Sequence, residues 1–140
     1  MKKVFIDTNV LIDYFSRRSP FFDSAARIVQ LGQERRCRIL VSALSFATSS
    51  FILESHHKLK NEAIVRKYAE FVKMCNVTPV DSQTINESIE SDFSDFEDAM
   101  QYYSAMSEGA DCIITRNKND FSTSMIDVYE PQEFLQMLMS

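Results

Sequence analysis

Four oxygen-bearing side chains stand where an enzyme could use them. Asp7 closes the apolar run Val4-Phe5-Ile6. Asn117 and Asp120 follow Cys112-Ile113-Ile114 in the segment Thr115-Arg116-Asn117-Lys118-Asn119-Asp120. Asp98 comes just after Asp95-Phe96-Glu97, at the start of a helical stretch. Each alone is ordinary, because acids near a helix start complement its dipole and an Asp before a helix caps it. Together they form an oxygen-only donor set suited to a hard cation, Mg²⁺ or Mn²⁺. Zinc would require Cys and His at ligand spacing; His56 and His57 have no such partners and read as exposed polar residues. Asp95 and Asp98 are three apart, which on a helix places them on one face with Glu97 pointing elsewhere. Two like charges on one face are tolerated best with a cation near them.

The charge distribution sharpens this reading. From Met74 to Thr115 there is no Lys or Arg but nine Asp and Glu, while the rest of the chain carries all 15 bases against 11 acids. The net charge of −5 is unfavourable for binding phosphates, so a bound cation among the acids would have to offset it. The three cysteines, Cys37, Cys75 and Cys112, are odd in number and far apart. They read as reduced, buried thiols of a cytoplasmic protein. No apolar run is long enough to span a membrane, and the start meets Asp7 too soon for a signal-peptide core. With only 2 Gly, no phosphate-binding glycine loop or GxSxG elbow is present.

The elements that must position these residues alternate. Val4–Ile6 reads as a buried strand feeding a helix. Ser19-Pro20 resembles a cap and first helical position, opening a helix to about Arg36. Arg38–Val41 is a second strand, and Ser42 caps a helix whose apolar face is Leu44, Ala47, Phe51 and Ile52. A basic amphipathic helix spans about Asn61 to Cys75, with Ile64, Tyr68, Phe71 and Val72 inward. Val77–Val80 is a third strand. Asp81 caps a short helix, and Ser94 caps another from Asp95 to about Ser107, ended by Gly109. Cys112–Ile114 and Ile126–Tyr129 are further strands, and a helix follows Pro131. Strands alternating with helices predict one α/β domain over residues 1–140, a parallel sheet covered on both faces. Ligands of such sheets bind beyond the carboxyl ends of the strands.

Val4-Phe5-Ile6-Asp7-Thr8-Asn9-Val10-Leu11-Ile12-Asp13 resembles the opening of PIN-domain proteins. Val41-Ser42-Ala43-Leu44-Ser45 resembles their second segment. Asp98-Ala99, then Ala110-Asp111-Cys112-Ile113-Ile114-Thr115-Arg116-Asn117-Lys118-Asn119-Asp120-Phe121, resembles the third and fourth. The resemblance implies a Rossmann-like sheet, metal-dependent hydrolysis of RNA phosphodiesters, leaving a 3′ hydroxyl and a 5′ phosphate, and frequent service as the toxin of a toxin–antitoxin pair. Under it Asp7, Asp98 and Asn117 hold Mg²⁺ or Mn²⁺. Asp7, Asp98 and Asp120 are catalytic, with Asp120 or Asp95 orienting the attacking water. Thr8, Asn9, Asp95 and Thr115 support the ligands. RNA, an antitoxin protein and a second copy of the chain are the partners to expect, and no membrane.

Two departures weaken the site relative to that family. RNA-cleaving relatives usually carry a Glu where this chain has Thr48, and Asn117 stands where many have Asp. Glu54, six residues on, faces elsewhere on a helix of about 3.6 residues per turn. The competing reading is therefore a PIN-like module that binds RNA or a protein without cutting. A phosphatase or phosphoacceptor built on Asp7 is disfavoured, because its second acid would fall where Asn9 stands. Arg116 reads either as a phosphate contact or as a counter-ion. Arg35, Arg36 and Arg38, or Lys58, Lys60, Arg66 and Lys67, are the candidate tracks for RNA.

Overall fold

In the computed structural model, residues 1–139 are described. They form a five-stranded, wholly parallel sheet of order β3-β2-β1-β4-β5: β1 Lys3–Ile6, β2 Arg38–Ser42, β3 Cys75–Thr78, β4 Cys112–Ile114 and β5 Asp127–Tyr129. Between and after them run α1 Thr8–Ser16, α2 Phe22–Gln33, α3 Ala43–Ser55, α4 Asn61–Phe71, α5 Ser82–Ile89, α6 Phe96–Ser107 and α7 Pro131–Met139, with a 3-10 turn at Lys118–Phe121.

Successive strand residues point to opposite faces, and here both faces are dry. Val4, Ile6, Ile39, Val41, Cys112 and Ile114 meet α1, α2, α3, α4 and α7 through Leu11, Ile28, Leu53, Ile64 and Phe134. Phe5, Leu40 and Ile113 meet Tyr102 and Ala105 of α6 on the other side. That double burial is why the strands read as unbroken apolar runs rather than alternating ones. Gly32 lets α2 lie close on β2, since a Cβ there would come within 2.5 Å of Ile39 Cγ1.

Several boundaries differ from the expectation. α2 begins at Phe22, and Ser19 does not cap it: the Phe22 N–H donates to the Arg18 carbonyl. α4 stops at Phe71, leaving Val72 exposed, because Cys75 is already paired with Ile39. β3 runs Cys75–Thr78 rather than Val77–Val80; Pro79 has no N–H to continue the ladder. The inward face of α3 is Ser45, Ser49 and Leu53, while Phe51 is exposed. The small hydroxyls turn inward because buried partners await them. Asp95, not Ser94, caps α6. Gly109 does close that helix, with φ +72°. Cys37 and Cys112 are buried, Cys75 is partly so, and all three are free thiols. No described helix is long and apolar enough to cross a membrane.

Strand order reverses between β1 and β4. In open parallel sheets the crevice at that switch point, beyond the carboxyl ends, is where ligands bind. Asp7 follows β1 and Thr115 follows β4 at that place.

Candidate active site

Asp7 continues the ladder, its N–H donating to the Ile114 carbonyl at 2.9 Å, then caps α1 in extended conformation. Its carboxylate is nearly enclosed and accepts four hydrogen bonds. Oδ1 takes the Thr8 N–H at 2.9 Å and Gln101 Nε2 at 3.1 Å; Oδ2 takes Thr115 Oγ1 at 2.8 Å and Asn9 Nδ2 at 3.2 Å. Burial raises its pKa, with Asp120 adding to that, against the lowering effect of Gln101, Thr115 and Thr8.

Three of these donors are the residues expected to support Asp7. Asn9 also donates to Thr115 Oγ1 at 3.1 Å and accepts the Arg116 N–H at 3.2 Å. The Asn117 N–H donates to the same Thr115 hydroxyl at 3.1 Å. The turn after β4 is thus pinned to the turn after β1.

Gln101 is the residue that sequence reasoning missed. It is fully buried on α6, and its Nε2 lies 3.1 Å from Asp7 Oδ1, 3.1 Å from Thr8 Oγ1 and 2.8 Å from Ser45 Oγ. Its Oε1 accepts from the Ser42 hydroxyl. An amide has two hydrogens, so it shares them among three oxygens and ties α6 to the ends of β1 and β2. The available signal was an amide three residues beyond Asp98, on the apolar side of the helix with Tyr102 and Ala105.

Asp98 is half-buried in the first turn of α6, its N–H donating to Asp95 Oδ1 at 3.0 Å. Its carboxyl is pushed up to about 7, first by burial and then by Asp7, Asp95, Asp120 and Glu97. Every charge acting on it in this way is negative. Asp95 is a cap outside the helix rather than a partner on its face. Glu97 reaches α3, where Thr48 Oγ1 donates to its Oε1 at 3.3 Å. Asp120 sits in the exposed 3-10 turn, its N–H on the Asn117 carbonyl at 3.0 Å.

The residues of the switch point thus gather, and Asp7, Asp98 and Asp120 act on one another electrostatically. Among the described residues, no three of His, Cys, Asp and Glu stand close enough to enclose a metal ion alone. The donor set still fits a hard cation that keeps several waters and takes one or two carboxylates, since the acids repel one another and carry only oxygen.

Arg116 is engaged. Its Nε and Nη2 bind Asp13 at 2.7 and 3.3 Å, and its guanidinium lies 4.1 Å from the Phe21 ring centre. Arg35, Arg36 and Arg38 fall at the amino end of β2, the opposite edge of the sheet, because the first two precede that strand and Arg38 begins it. Arg66 and Lys67 line a hollow against Tyr14, Phe22 and Phe71.

Similarity to known proteins agrees with this architecture. Ribonuclease VapC1 of Aquifex aeolicus strain VF5 is 26% identical over 140 residues, covering 96% of this chain and 94% of that protein. Among solved structures, a toxin–antitoxin complex from Klebsiella pneumoniae superposes with TM-score 0.67 at 19% identity, over 91% of this chain and 97% of that one. FitAcB of Neisseria gonorrhoeae superposes with TM-score 0.68 at 12% identity, over 92% and 98%. These two establish likeness of fold. The PIN-domain profile matches residues 3–119, most of the 140-residue sequence, and the chain belongs to the PIN-domain family.

Proposed function

We propose that this chain is a divalent-metal-dependent ribonuclease that hydrolyses RNA phosphodiester bonds, acting as the toxin of a toxin–antitoxin pair. The observation that carries the reading is the gathering of Asp7, Asp98 and Asp120 at the switch point, where burial first, and then Asp7, Asp95, Asp120 and Glu97, push the Asp98 carboxyl up to about 7. Unpaired acids gathered at a sheet's switch point favour a cation, and perturbed groups in a cleft mark functional sites. The relative named as ribonuclease VapC1 and the toxin–antitoxin complexes of like fold point the same way.

In this reading residues 1–140 are one PIN domain working in the cytoplasm. Asp7, Asp98 and Asn117 hold the ion, Mg²⁺ or Mn²⁺ by the hardness of their oxygens. The ion supplies charge to the phosphate oxygens and acidifies water. The chain does the rest. Thr8, Asn9, Thr115 and Gln101 fix both oxygens of Asp7, so no reorganisation is needed when charge develops. Asp120, exposed at the rim, accepts a proton from the attacking water. Asp95 fixes the start of α6 and hence Asp98. An antitoxin protein and a second copy of the chain are the protein partners this role entails.

Thr48 in place of the usual Glu favours a second reading, a PIN module that binds RNA or protein without cleavage. Incubating the purified protein with structured and unstructured RNA in Mn²⁺, Mg²⁺ or chelator separates them. Cleavage that chelator stops and Asp7→Asn abolishes is the expected result. Metal-independent RNA binding without any cut would establish the second reading.

A further inference from the structure

Beside the carboxylates lies a hollow of about 270 Å³, lined by Phe21, Ser24, Arg116, Glu130 and Gln132 together with two prolines. Arg116 follows β4 and Glu130 follows β5, so the hollow opens on the same carboxyl edge as Asp7. A neighbouring cleft is lined by Asn117, Lys118 and Asp120, and it shares Arg116 and Glu130 with the hollow. Arg116 and Glu130 therefore line both the hollow that holds Phe21 and the cleft that holds Asp120.

The chemistry of the hollow is not that of a phosphate clamp. Arg116 is already paired in bidentate fashion with the buried Asp13, so little charge is left to offer. What remains is a flat guanidinium held 4.1 Å from the centre of the Phe21 ring, with Arg18 5.6 Å from that ring as well. Paired arginine planes and aromatic rings are surfaces on which unstacked bases lie. Ser24, Gln132 and the exposed Glu130 add hydrogen-bonding groups to the lining. The volume falls below the roughly 300 Å³ at which pockets for drug-sized ligands begin. It suits one ring system.

From this we infer that the hollow is a nucleobase subsite, which holds one unstacked base of single-stranded RNA against Phe21 and Arg116 beside the scissile phosphate. Glu130 accepts hydrogen bonds only, so bases presenting adjacent N–H donors are preferred, guanine above the others. The placement of the base next to a cut rests on the ribonuclease reading; the affinity for a base does not.

The test uses the full chain carrying Asp7→Asn, so that RNA survives, and follows backbone amide resonances. Guanosine, the other three nucleosides and ribose 5-phosphate are titrated separately. Guanosine should shift the amides of Phe21, Ser24, Arg116 and Gln132 saturably, and ribose 5-phosphate should not. Phe21→Leu should weaken guanosine and a single-stranded RNA decamer at least tenfold, Phe21→Tyr should restore both, and Glu130→Gln should alter base preference with the fold untouched. In the otherwise wild-type protein with Mn²⁺, Phe21→Leu should raise KM and blur base preference at the cut while kcat holds. Shifts from ribose 5-phosphate alone would make this a phosphate site and overturn the proposal. Shifts from an arginine-bearing peptide with none from nucleosides would assign it to a protein partner, overturning it equally. Guanosine binding that depends on Phe21 in a protein that cuts no RNA would uphold the subsite and remove the ribonuclease reading. Chelator-sensitive cleavage indifferent to Phe21 would do the reverse.

Discussion

The Thr48 hydroxyl on α3 donates to Glu97 Oε1 on α6 across 3.3 Å. The position at which RNA-cleaving PIN proteins usually carry Glu is therefore met by a carboxylate from another helix, one that also pushes the Asp98 pKa upward. Thr48→Glu would set two carboxylates against each other at the edge of an acidic site. The metal-free variant should melt lower than the parent, and Mn²⁺ should raise its melting temperature more than it raises the parent's. Combining the change with Glu97→Gln should restore the metal-free stability. Equal Mn²⁺ shifts in parent and Thr48→Glu would separate Thr48 from the metal site.

Gln101 should matter to stability more than its neutral side chain suggests. Gln101→Met keeps the length but leaves Asp7 Oδ1, Thr8, Ser42 and Ser45 short of a partner in a dry place. One such orphaned group costs about 1–3 kcal/mol, so urea denaturation should show a loss of at least that size. Gln101→Glu, which adds a charge beside Asp7, should lose more. A change within error in either variant would mean that water replaces the amide.

The pH dependence of the metal-free protein has a definite sign. Asp98 keeps its proton in the fold until about pH 7, whereas the unfolded chain releases it near the ordinary value of 3.8. Between those values the folded state binds more protons, so stability falls as pH rises and levels off above about 7. Asp7, raised by burial, adds the same sign. Melting temperatures in chelator should decline from acidic to neutral pH, and Asp98→Asn should flatten that slope. Mn²⁺ affinity should run the other way, strengthening through neutrality as the carboxyl gives up its proton. A melting temperature that climbs across this interval would contradict the electrostatic picture of the site.

Asp7→Asn should abolish cleavage with the fold retained. The amide oxygen can keep the Thr8 N–H and Gln101 Nε2 as donors. Its NH₂ faces the Thr115 hydroxyl and the Asn9 amide, which Asn117 and Arg116 hold in place, so the hydrogen bonds on that side weaken. Removing a buried charge also offsets the weaker hydrogen bonds, so the metal-free melting temperature should change little. The Mn²⁺-induced rise should shrink, since a ligand stabilises by its affinity for the folded state. Asn caps helices about as well as Asp; if Asp7 only capped α1, neither cleavage nor the Mn²⁺ response would move.

Much of the architecture was legible in local pattern. The runs Val4–Ile6 and Cys112–Ile114 are apolar at every position because both faces of their strands are covered, and their shortness and polar bounds fit buried strands. Asp7 and Thr115 could be placed at strand ends by counting, and Ser42, Asp81 and Gly109 announced helix termini through their own backbone chemistry. What local pattern could not decide depended on partners distant in the chain. α3 turns Ser45 and Ser49 inward and Phe51 outward, against its hydrophobicity, because Thr8, Gln101 and Tyr68 supply hydrogen bonds there. Gln101 looks like an ordinary helical amide until β1, β2 and α6 are brought together around it. Arg116 reads equally as a phosphate contact or a counter-ion until α1 presents Asp13 and the start of α2 presents Phe21. Glu97 and Thr48 are 49 residues apart and meet only through the packing of two helices. The ends of β1 and β4 were set by short apolar runs meeting polar residues, a local property; the proton affinity of Asp98 and the pairing of Arg116 were set by burial and Coulomb contact, which exist only once the chain has folded.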